Sequence, residues 1–349
     1  MTMYSDKEYV DFFASIVGRP EVELLTNFEI LENFENSRIL IVGAGGTIGS
    51  SLSSRLVRAG IPNVFFLDRD ESALHALTLG LSNISASLSK NCVVGDIRDL
   101  VGMRNSISSI KPTIVIHAAA LKHLVILERF PREGFLSNII GTFNVATACR
   151  DLEVNQFINI STDKAANPIS VLGKTKKIAE LVTEEVLLGT NTAHASVRFG
   201  NVFASRGSVI ETFIHQILND LPVTITDQMV SRFFMSRNEA ANLVLAAATL
   251  EESGTYIQNM GEEVLISQVI SRLSKHFHKE VKLQVIGLQS GEKLSETLFD
   301  GPALETKFPD ISKSAHEIRA GITKAIESAS PTTDAQALLI IEGLVSKFI

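Results

Sequence analysis

Adjacent residues that can give and take protons follow one apolar segment of this chain. Phe157–Ile160 has the character of a buried strand, and Ser161, Thr162, Asp163 and Lys164 come directly after it. Consecutive polar side chains at the end of a buried strand are costly unless they are paired or used. Asp163 and Lys164 are an adjacent carboxyl and amine, which suits them to general acid and base catalysis. A surface ion pair is the alternative interpretation.

A glycine-rich turn near residue 45 indicates a phosphate-binding site. It follows the apolar run Ile39–Val42 and opens a predicted helix, and its residues are Gly43, Gly45, Gly46, Thr47, Ile48 and Gly49. Glycine tolerates the positive φ angles of a tight turn and lets a pyrophosphate approach the backbone closely. The free N–H groups and the dipole of the following helix favour the same anion. An ordinary glycine turn is the alternative, and the strand–turn–helix context argues against it.

Carboxylates end the next two predicted strands. Asp68 lies 19 residues after Gly49, where an acidic side chain binds the adenosine ribose hydroxyls of a dinucleotide. It favours NAD because a 2′-phosphate would be repelled, whereas the guanidinium of Arg69 leaves NADP as the second choice. Asp96 and the backbone N–H of Ile97 are predicted to meet the adenine edge, and a helix N-cap is the alternative for Asp96.

The fourth predicted strand ends at His117 in a run of small residues. Ala118 and Ala119 leave space for a nicotinamide or a ribose to approach the backbone. Lys122 and His123 follow them and are predicted to reach a substrate. Ordinary surface positions are the alternative for both.

These residues need a scaffold that brings several strand ends together. Short runs rich in Val, Ile or Phe alternate with longer helical patterns between residues 38 and 198. The predicted strands are Ile39–Val42, Val64–Leu67, Cys92–Val94, Thr113–His117, Phe157–Ile160 and Ala195–Phe199. This rhythm predicts an α/β fold with a Rossmann-like doubly wound parallel sheet, in which ligands bind beyond the carboxyl ends of the strands.

Three regions follow from changes of pattern along the chain. We predict a short helical N-terminal extension over residues 1–36 and an NAD(P)-binding Rossmann domain over residues 37–200. Residues 201–349 predict a smaller α/β lobe for the substrate, ending in a closing helix over Ala335–Phe348. The predicted strands of this lobe are Val223–Thr226, Thr255–Gln258 and Val281–Ile286. Asp300–Thr333, which contains Pro and Ser, gives no clear pattern.

Composition excludes several other classes of protein. The 349 residues are 45% hydrophobic and 20% charged, as in an ordered soluble protein. A net charge of −7 without a long basic run argues against nucleic-acid binding. We expect no membrane span, because no run of 18 apolar residues occurs. The polar start and the lack of cysteines other than Cys92 and Cys149 predict a reducing cytoplasm, no disulfide framework and no metal.

The glycine turn, the segment His117–Ala120 and the passage after residue 160 resemble an extended short-chain dehydrogenase/reductase. In most of that superfamily the helix after the fifth strand carries Tyr-x-x-x-Lys, and the tyrosine deprotonates a sugar hydroxyl. Lys176 matches the lysine, which the resemblance implies holds the nicotinamide ribose. Leu172 stands at the tyrosine position, and leucine cannot transfer a proton.

One subfamily tolerates the loss of that tyrosine. Over nearly its full length the chain resembles the polysaccharide-biosynthesis group of nucleotide-sugar 4,6-dehydratases, whose retaining branch has methionine there beside a Thr-Asp-Lys or Ser-Asp-Lys triplet. The matching segments are Val17–Leu24, Val197–Val202, Ser205–Ile210, Arg232–Met235 and Gly291–Glu296. The departures are Leu172, Lys174 in place of a small residue, and Gln289 and Ser290 in place of Arg-Pro.

The resemblance implies dehydration of UDP-N-acetylglucosamine with a tightly held NAD that is regenerated. Hydride leaves carbon 4, a base removes the carbon-5 proton, the carbon-6 hydroxyl leaves as water, and hydride returns to carbon 6. We assign the acid to Asp163 and the base to Lys164, whose pKa must then be lowered by burial or by a cation such as Lys176. Thr162 is expected to hold the carbon-4 hydroxyl, whose proton leaves through Thr162, a water or Lys164.

The smaller lobe is then expected to bind UDP. Asn201, Arg206 and Arg232 are the candidates for its phosphates, since amide donors and planar guanidinium groups suit a pyrophosphate. Glu292 is the candidate for the uridine ribose, and structural salt bridges are the alternative for the group. We also expect a homo-oligomer, formed through the N-terminal helices or the closing helix.

Other functions stay open at this point. An inverting 4,6-dehydratase usually keeps the tyrosine that Leu172 replaces. A UDP-sugar 4-epimerase must rotate its keto sugar and needs no acid near carbon 6. A protein that binds NAD(H) without catalysis has no need of Asp163, Lys164 and Lys176. The resemblance favours the dehydratase, in the biosynthesis of a bacterial surface glycan or glycoconjugate.

Overall fold

Six strands between residues 39 and 199, with a seventh at residues 254–258, form the centre of one large sheet. The computed structural model describes residues 6–84, 88–250, 252–314 and 320–349. Its strands are β1 (Ile39–Val42), β2 (Val64–Asp68), β3 (Cys92–Val94), β4 (Ile114–His117), β5 (Gln156–Thr162), β6 (Ala193–Phe199), β7 (Asn201–Val202), β8 (Val223–Ile225), β9 (Ser231–Arg232), β10 (Phe234–Met235), β11 (Gly254–Gln258), β12 (Val264–Leu265), β13 (Leu283–Val285), β14 (Ala303–Glu305) and β15 (Ile311–Ser314).

The sheet order is that of a doubly wound fold. In the described part of the chain it has nine strands in the order β14-β15-β11-β6-β5-β4-β1-β2-β3. The pairs from β3 across to β11 are parallel, and β15 and β14 are added in antiparallel pairing. The strand order reverses between β1 and β4, where such sheets open a ligand crevice. The Rossmann-like fold predicted from the sequence is confirmed.

Helices cover both faces of this sheet. They are α1 (Asp6–Val17), α2 (Asn27–Phe34), α3 (Thr47–Arg58), α4 (Glu71–Leu81), α5 (Leu100–Ile110), α6 (Leu124–Arg129), α7 (Pro131–Gly134), α8 (Gly141–Asp151), α9 (Val171–Leu187), α10 (Val209–Leu218), α11 (Arg237–Ala248), α12 (Ile266–Phe277), α13 (Ile322–Glu327) and α14 (Asp334–Phe348). One apolar core lies between the sheet and α2, α3, α4 and α11, and a second between the sheet and α5, α8, α9 and α14. Because both faces are covered, β1 and β4 are buried along their whole length.

A third core belongs to a smaller lobe at the carboxyl edge of the sheet. It joins α1, α10 and α12 through buried residues such as Phe13, Phe213 and Leu273. The Tyr9 hydroxyl donates to the Phe203 carbonyl at 3.1 Å, which ties α1 to this lobe. The lobe also contains the short strand pairs β8–β13 and β9–β12.

The predicted region boundaries at residues 36 and 200 do not coincide with the packing. α1 packs on the smaller lobe, whereas α2 packs on the main sheet. After residue 200, β11 continues the main sheet because it pairs in parallel with β6, and α14 covers the same face as α9. Asp300–Thr333, which gave no clear pattern, contributes β14, β15 and α13 to the described structure. The stretches 1–5 and 315–319 lie outside the described residues.

Candidate active site

The turn between β1 and α3 is shaped by close backbone contacts. Gly43 has a φ of +84°, and a Cβ atom there would lie 2.5 Å from the backbone nitrogen of Ala119. A Cβ at Gly49 would collide with the Gly43 carbonyl. α3 begins after Gly46 with no side chain bonded to its first N–H groups. The turn therefore leaves helix N–H donors without a side-chain cap, an arrangement that suits an anion.

Asp68 is oriented by the backbone on both sides of it. Its carboxylate accepts hydrogen bonds from Gly45 N at 2.9 Å and from Asp70 N at 3.0 Å. Arg69 reaches across the mouth of the cleft to Asp96, with 3.9 Å between Nη1 and Oδ2. Asp96 also accepts from Arg98 N at 2.9 Å, so it caps its own turn as well as facing the cleft.

These groups line one cleft of about 600 Å³ at the carboxyl ends of β1 to β4. Its lining includes Gly43, Gly46, Asp68, Arg69, Asp96, Ile97, Ala118 and Ala119. Gly45, Thr47, Ile48 and Gly49 form the adjoining turn and helix start. A glycine cradle, an oriented carboxylate and a wall of alanines fit the pyrophosphate, ribose and adenine of a dinucleotide.

The predicted proton-transfer residues lie at the end of β5 and in the turn of 3₁₀-helix Asp163–Ala165. The Lys164 ammonium donates to Asp163 Oδ1 at 3.0 Å, and the Thr162 hydroxyl donates to the same oxygen at 2.9 Å. Asp163 is fully buried, and its second oxygen, Oδ2, has no hydrogen-bond partner within the described residues. The adjacent acid and base are therefore in contact, and one carboxylate oxygen is left without a hydrogen-bond partner among the described residues.

Two further side chains lie next to Lys164. The sequence did not predict a contact of either one with this lysine. Glu296 Oε1 lies 3.4 Å from its Nζ, and Asn201 Oδ1 lies at the same distance. Asn201 was predicted only as a phosphate ligand, and Glu296 was part of a matching segment without a role. The only sequence signal for Glu296 was that segment, Gly291–Glu296.

The charge state of Lys164 corrects the sequence-based expectation. Burial alone would lower its pKa, but the carboxylates of Asp163 and Glu296 outweigh burial and the repulsion from Arg232. The pKa of Lys164 is therefore raised, not lowered, and the resting side chain is an ammonium. Lys176 does not appear among its electrostatic neighbours, so the predicted lowering by that cation is wrong.

Lys176 lies instead beside His117. Burial lowers the pKa of Lys176 to about 8, opposed only by the charge of Glu180. Burial and the nearby Lys176 lower the pKa of His117 to about 3, so this imidazole is neutral. Lys176 is 5% exposed, and its ammonium makes no hydrogen bond or ion pair with the residues that the structure describes. A ribose hydroxyl would give it a partner.

The helix after the turn is packed directly against Lys164. Ser170 caps α9 by accepting from Gly173 N at 3.0 Å. A Cβ at Gly173 would collide with the Lys164 carbonyl, so only glycine allows this approach without a shift. Leu172 is buried in the apolar core of that face, and it supplies packing where a tyrosine would supply a hydroxyl.

A buried ion network fixes the strands around the turn. The Arg198 guanidinium donates to both oxygens of Glu180, at 2.8 and 2.7 Å, and to Asp300 at 2.5 Å. Ser161 donates to Glu180 at 2.6 Å, and Lys177 pairs with Asp300 at 2.6 Å. Burial alone would raise the pKa of Glu180, but Arg198, Lys177 and Ser161 lower it to about 2. The network ties β5, β6 and α9 to the chain near residue 300.

The predicted substrate residues divide into two groups. In the first, Arg206 donates to the Gly45 carbonyl at 2.7 Å, so it lies on the glycine turn. The His123 ring lies against Gly207, where a Cβ would be 2.7 Å from the ring. Burial lowers the pKa of Lys122, the charge of Glu211 opposes this effect, and the charge of Arg206 adds to it. Lys122 and Arg206 therefore lie close together.

In the second group, Arg232 and Glu292 bind each other at 3.1 Å. Arg232 also donates to the carbonyls of Ser231 and Leu294, and Glu292 accepts from Thr226. Both side chains are thus bound to other groups of the protein. This is what the alternative interpretation, a structural salt bridge, predicts for them. Within the described residues no group of three His, Cys, Asp or Glu side chains is arranged for a metal, and none of the helices there is long and apolar enough to cross a membrane.

The doubly wound sheet and its glycine cradle define a Rossmann-like fold of the short-chain dehydrogenase/reductase type. A solved structure of Pen from Bacillus thuringiensis matches at 29% identity with a TM-score of 0.71, covering 88% of this chain and 98% of that one. The complex of Thermus thermophilus UDP-glucose 4-epimerase with NAD matches at 20% identity with a TM-score of 0.65, covering 89% and 99%.

Residues 39–315 match the family described as polysaccharide biosynthesis protein, and the chain belongs to that family. The capsular polysaccharide biosynthesis protein CapD of Staphylococcus aureus is 36% identical over 82% of this chain and 48% of its own length. A UDP-glucose 4-epimerase of Rickettsia rickettsii is 31% identical over 76% of this chain and 78% of its own. The chain thus spans about half the length of CapD.

Proposed function

We propose that the protein is an NAD-dependent 4,6-dehydratase of UDP-N-acetylglucosamine, retaining at carbon 5. The observation that carries this proposal is the buried contact between Asp163 and Lys164 beside a helix with Leu172 in place of tyrosine. An acid and a base in contact suit the loss of water across two neighbouring carbons. Membership of a polysaccharide-biosynthesis family and the relation to CapD support this class of reaction.

NAD is the proposed cofactor, held by the glycine turn, Asp68 and Lys176. When bound there, NAD would supply a hydride acceptor for carbon 4 and, once reduced, a hydride donor for carbon 6. Asp68 supports NAD over NADP, because its carboxylate is fixed by two backbone N–H groups and would repel a 2′-phosphate. Arg69 already reaches toward Asp96, which reduces its availability for that phosphate.

The geometry supplies the acid and the base from a single ion pair. In the resting site Lys164 is an ammonium and Asp163 a carboxylate, 3.0 Å apart. Transfer of one proton from the ammonium to the carboxylate gives a neutral amine and a carboxylic acid. These are the forms that the reaction needs, so the raised pKa of Lys164 does not prevent its action as a base.

The proton balance closes at the end of dehydration. The Lys164 amine takes the proton of carbon 5, which is acidic next to a carbon-4 ketone. The Asp163 carboxyl gives its proton to the carbon-6 oxygen, which leaves as water. Lys164 and Asp163 thereby return to ammonium and carboxylate. Return of hydride to carbon 6 needs a proton at carbon 5, which the Lys164 ammonium gives back. The resulting amine regains a proton from water, which replaces the one that left the carbon-4 hydroxyl to water at the start. Thr162, whose hydroxyl is held by Asp163, is proposed to position the carbon-4 hydroxyl.

The sugar nucleotide is proposed to lie between the two groups of predicted substrate residues. The first group lies near the glycine turn and would face the pyrophosphate of the sugar nucleotide; it consists of Lys122, His123 and Arg206. Asn201 stands beside Lys164 and would face the sugar. Arg232 and Glu292 form an ion pair, and we propose that this pair holds the protein segments that border the uridine of the substrate. A cytoplasmic location and self-association stay predictions.

A UDP-sugar 4-epimerase is the second candidate, because the Rickettsia rickettsii relative bears that name. An epimerase has no use for an acid at carbon 6, whereas Asp163 Oδ2 is buried and unsatisfied in the described structure. Mass spectrometry of UDP-N-acetylglucosamine after incubation with the protein separates the two reactions. A dehydratase gives a product lighter by one water, and an epimerase gives a product of unchanged mass.

A further inference from the structure

Glu296 brings a second carboxylate to Lys164 from a distant part of the chain. Its side chain is only 2% exposed, and its Oε1 lies 3.4 Å from Lys164 Nζ. Its other oxygen, Oε2, lies 3.5 Å from Lys293 Nζ and makes no hydrogen bond in the described part of the protein. A buried carboxylate with an unsatisfied oxygen is costly to stability. Stability alone therefore does not account for its place.

Several contacts on either side hold Glu296 in this position. Glu263 accepts from the Ser295 hydroxyl at 2.7 Å and from Glu296 N at 3.3 Å. The Leu298 carbonyl accepts from Arg198 at 3.0 Å. Two residues further on, Asp300 joins the buried ion network described above. The segment is thus held by Glu263 of the smaller lobe at Ser295 and Glu296, and by Arg198 of the main sheet at Leu298 and Asp300.

We propose, on the basis of the proposed function, that Glu296 is a positioning residue that keeps Lys164 an ammonium directed at Asp163. The neutral amine then forms only by proton transfer to Asp163, not by loss of a proton to water. Glu296 thereby couples the appearance of the base to the appearance of the acid. The neutral amine of Lys164 and the protonated carboxyl of Asp163 therefore form together. The site does not remove the carbon-5 proton before an acid is present to protonate the leaving oxygen.

The charges around Lys164 fix the sign of the expected effect. Asp163 and Glu296 are the carboxylates that face it, and Arg232 is the cation. Lys293 faces Glu296 from the other side. Replacing Glu296 by glutamine removes one negative charge and keeps the shape of the side chain. The ammonium of Lys164 is then less stabilised, so a larger fraction is neutral at a given pH.

Chemical labelling of Lys164 tests this without any substrate. Trace acetic anhydride acetylates neutral amines, and mass spectrometry reads each lysine against the exposed Lys111 as reference. We expect Lys164 in Glu296→Gln to label about 10-fold faster than in the wild type near pH 9. Glu342→Gln is the control, because it removes a carboxylate that pairs with Lys174 on another part of the surface and not with Lys164. Equal rates for Lys164 in Glu296→Gln and wild type would overturn the proposal.

Two further measurements keep the test decisive. Glu296→Asp retains the charge and should label like the wild type, which separates charge from side-chain shape. If Glu296→Gln does not fold, the wild type alone is informative: its Lys164 labelling should still rise above about pH 10, and a plateau below that value would contradict the proposal.

A measurement of catalysis separates the test of this proposal from the test of the proposed function. With UDP-N-acetylglucosamine, Glu296→Gln should shift the pH profile of carbon-5 hydrogen exchange about one unit lower. An unchanged profile with only a raised KM would mean that Glu296 binds the sugar, and would refute its role on Lys164. A wild type that never acts on this substrate would refute the proposed function, while the labelling result would still decide on Glu296.

Discussion

The Lys164 ammonium lies 3.0 Å from Asp163 Oδ1, while Asp163 Oδ2 is buried without a hydrogen-bond partner within the described residues. One oxygen of the carboxyl is thus bound to the amine, and the other is buried without a partner among those residues. A proton passing from Lys164 to Asp163 has a short path. This geometry underlies the proposed exchange of roles between the two residues.

Lys164→Met should abolish exchange at carbon 5, because methionine keeps the length of the side chain without a titratable amine. We expect a loss of at least about 100-fold in turnover, the usual scale for a general base. Calorimetric binding of NAD should be unchanged, since Lys164 does not line the dinucleotide cleft. Lys174→Met is the control, because Lys174 pairs with Glu342 on α14 away from the site. Retained turnover in Lys164→Met would refute the assignment.

Gly173→Ala should impair the reaction without touching a reactive side chain. Its Cβ would collide with the Lys164 carbonyl and displace the turn that carries Asp163 and Lys164. A misplacement of this kind costs on the order of 100-fold in kcat. Gly343→Ala is the control, since nothing lies within 4 Å of that position in α14. The control should retain full activity and gain about 0.5–1 kcal/mol of stability. Equal activities of both variants would contradict the account.

Local patterns in the sequence placed the residues predicted for the cofactor at the ends of strands. The glycine turn, Asp68 and Asp96 lie where a strand ends, so their placement needs only the order of strands in the sheet. Lys176 and Leu172 were placed by the resemblance to the Tyr-x-x-x-Lys pattern. Short stretches of chain contain all the information for these residues, which is why the prediction and the structure agree on where they lie.

Tertiary contacts decide the remainder of the site. Glu296 reaches Lys164 from a segment without regular secondary structure, so no periodicity marks it. The predicted direction of the pKa of Lys164 was wrong because the charges of Asp163 and, from this distant segment, Glu296 outweigh burial. Arg206 lies on the Gly45 carbonyl because the smaller lobe folds over the glycine turn, which spacing along the chain does not reveal.

Glu180→Gln should destabilise the protein and change its acid sensitivity. The pKa of Glu180 is lowered to about 2 in the folded state, from an ordinary 4.5. Its stabilising contribution is therefore full above pH 4.5 and is lost as the pH falls toward 2. Urea unfolding at pH 7 should show a loss of about 3–5 kcal/mol, because Arg198 keeps a buried charge with fewer partners.

The difference between wild type and Glu180→Gln should shrink between pH 4.5 and pH 2, as Glu180 becomes protonated. Glu342→Gln, which breaks a partly exposed pair with Lys174, should cost less than about 1 kcal/mol at any pH. A constant difference between wild type and Glu180→Gln at all pH values would refute the role given to this carboxylate.

Asp68→Asn should weaken NAD binding and reduce discrimination against NADP. The substitution removes the charge that repels a 2′-phosphate and one of the two acceptors held by Gly45 and Asp70. We expect the Kd for NAD to rise on the order of 10-fold, and the Kd for NADP to change less. Asp70→Asn is the control, because asparagine is as good a cap for α4 as aspartate. Equal losses for both dinucleotides would argue against the role of Asp68.

Proton NMR of UDP-N-acetylglucosamine with the protein in deuterium oxide, without added cofactor, tests the central claim most directly. The account predicts a new methyl signal beside a hydrated 4-keto sugar, deuterium at carbon 5, and the original configuration at that carbon. A galacto isomer without a methyl signal would establish an epimerase instead. An unchanged spectrum, with NAD or NADP added and other nucleotide sugars tried, would contradict the proposal that Asp163 and Lys164 dehydrate such a substrate.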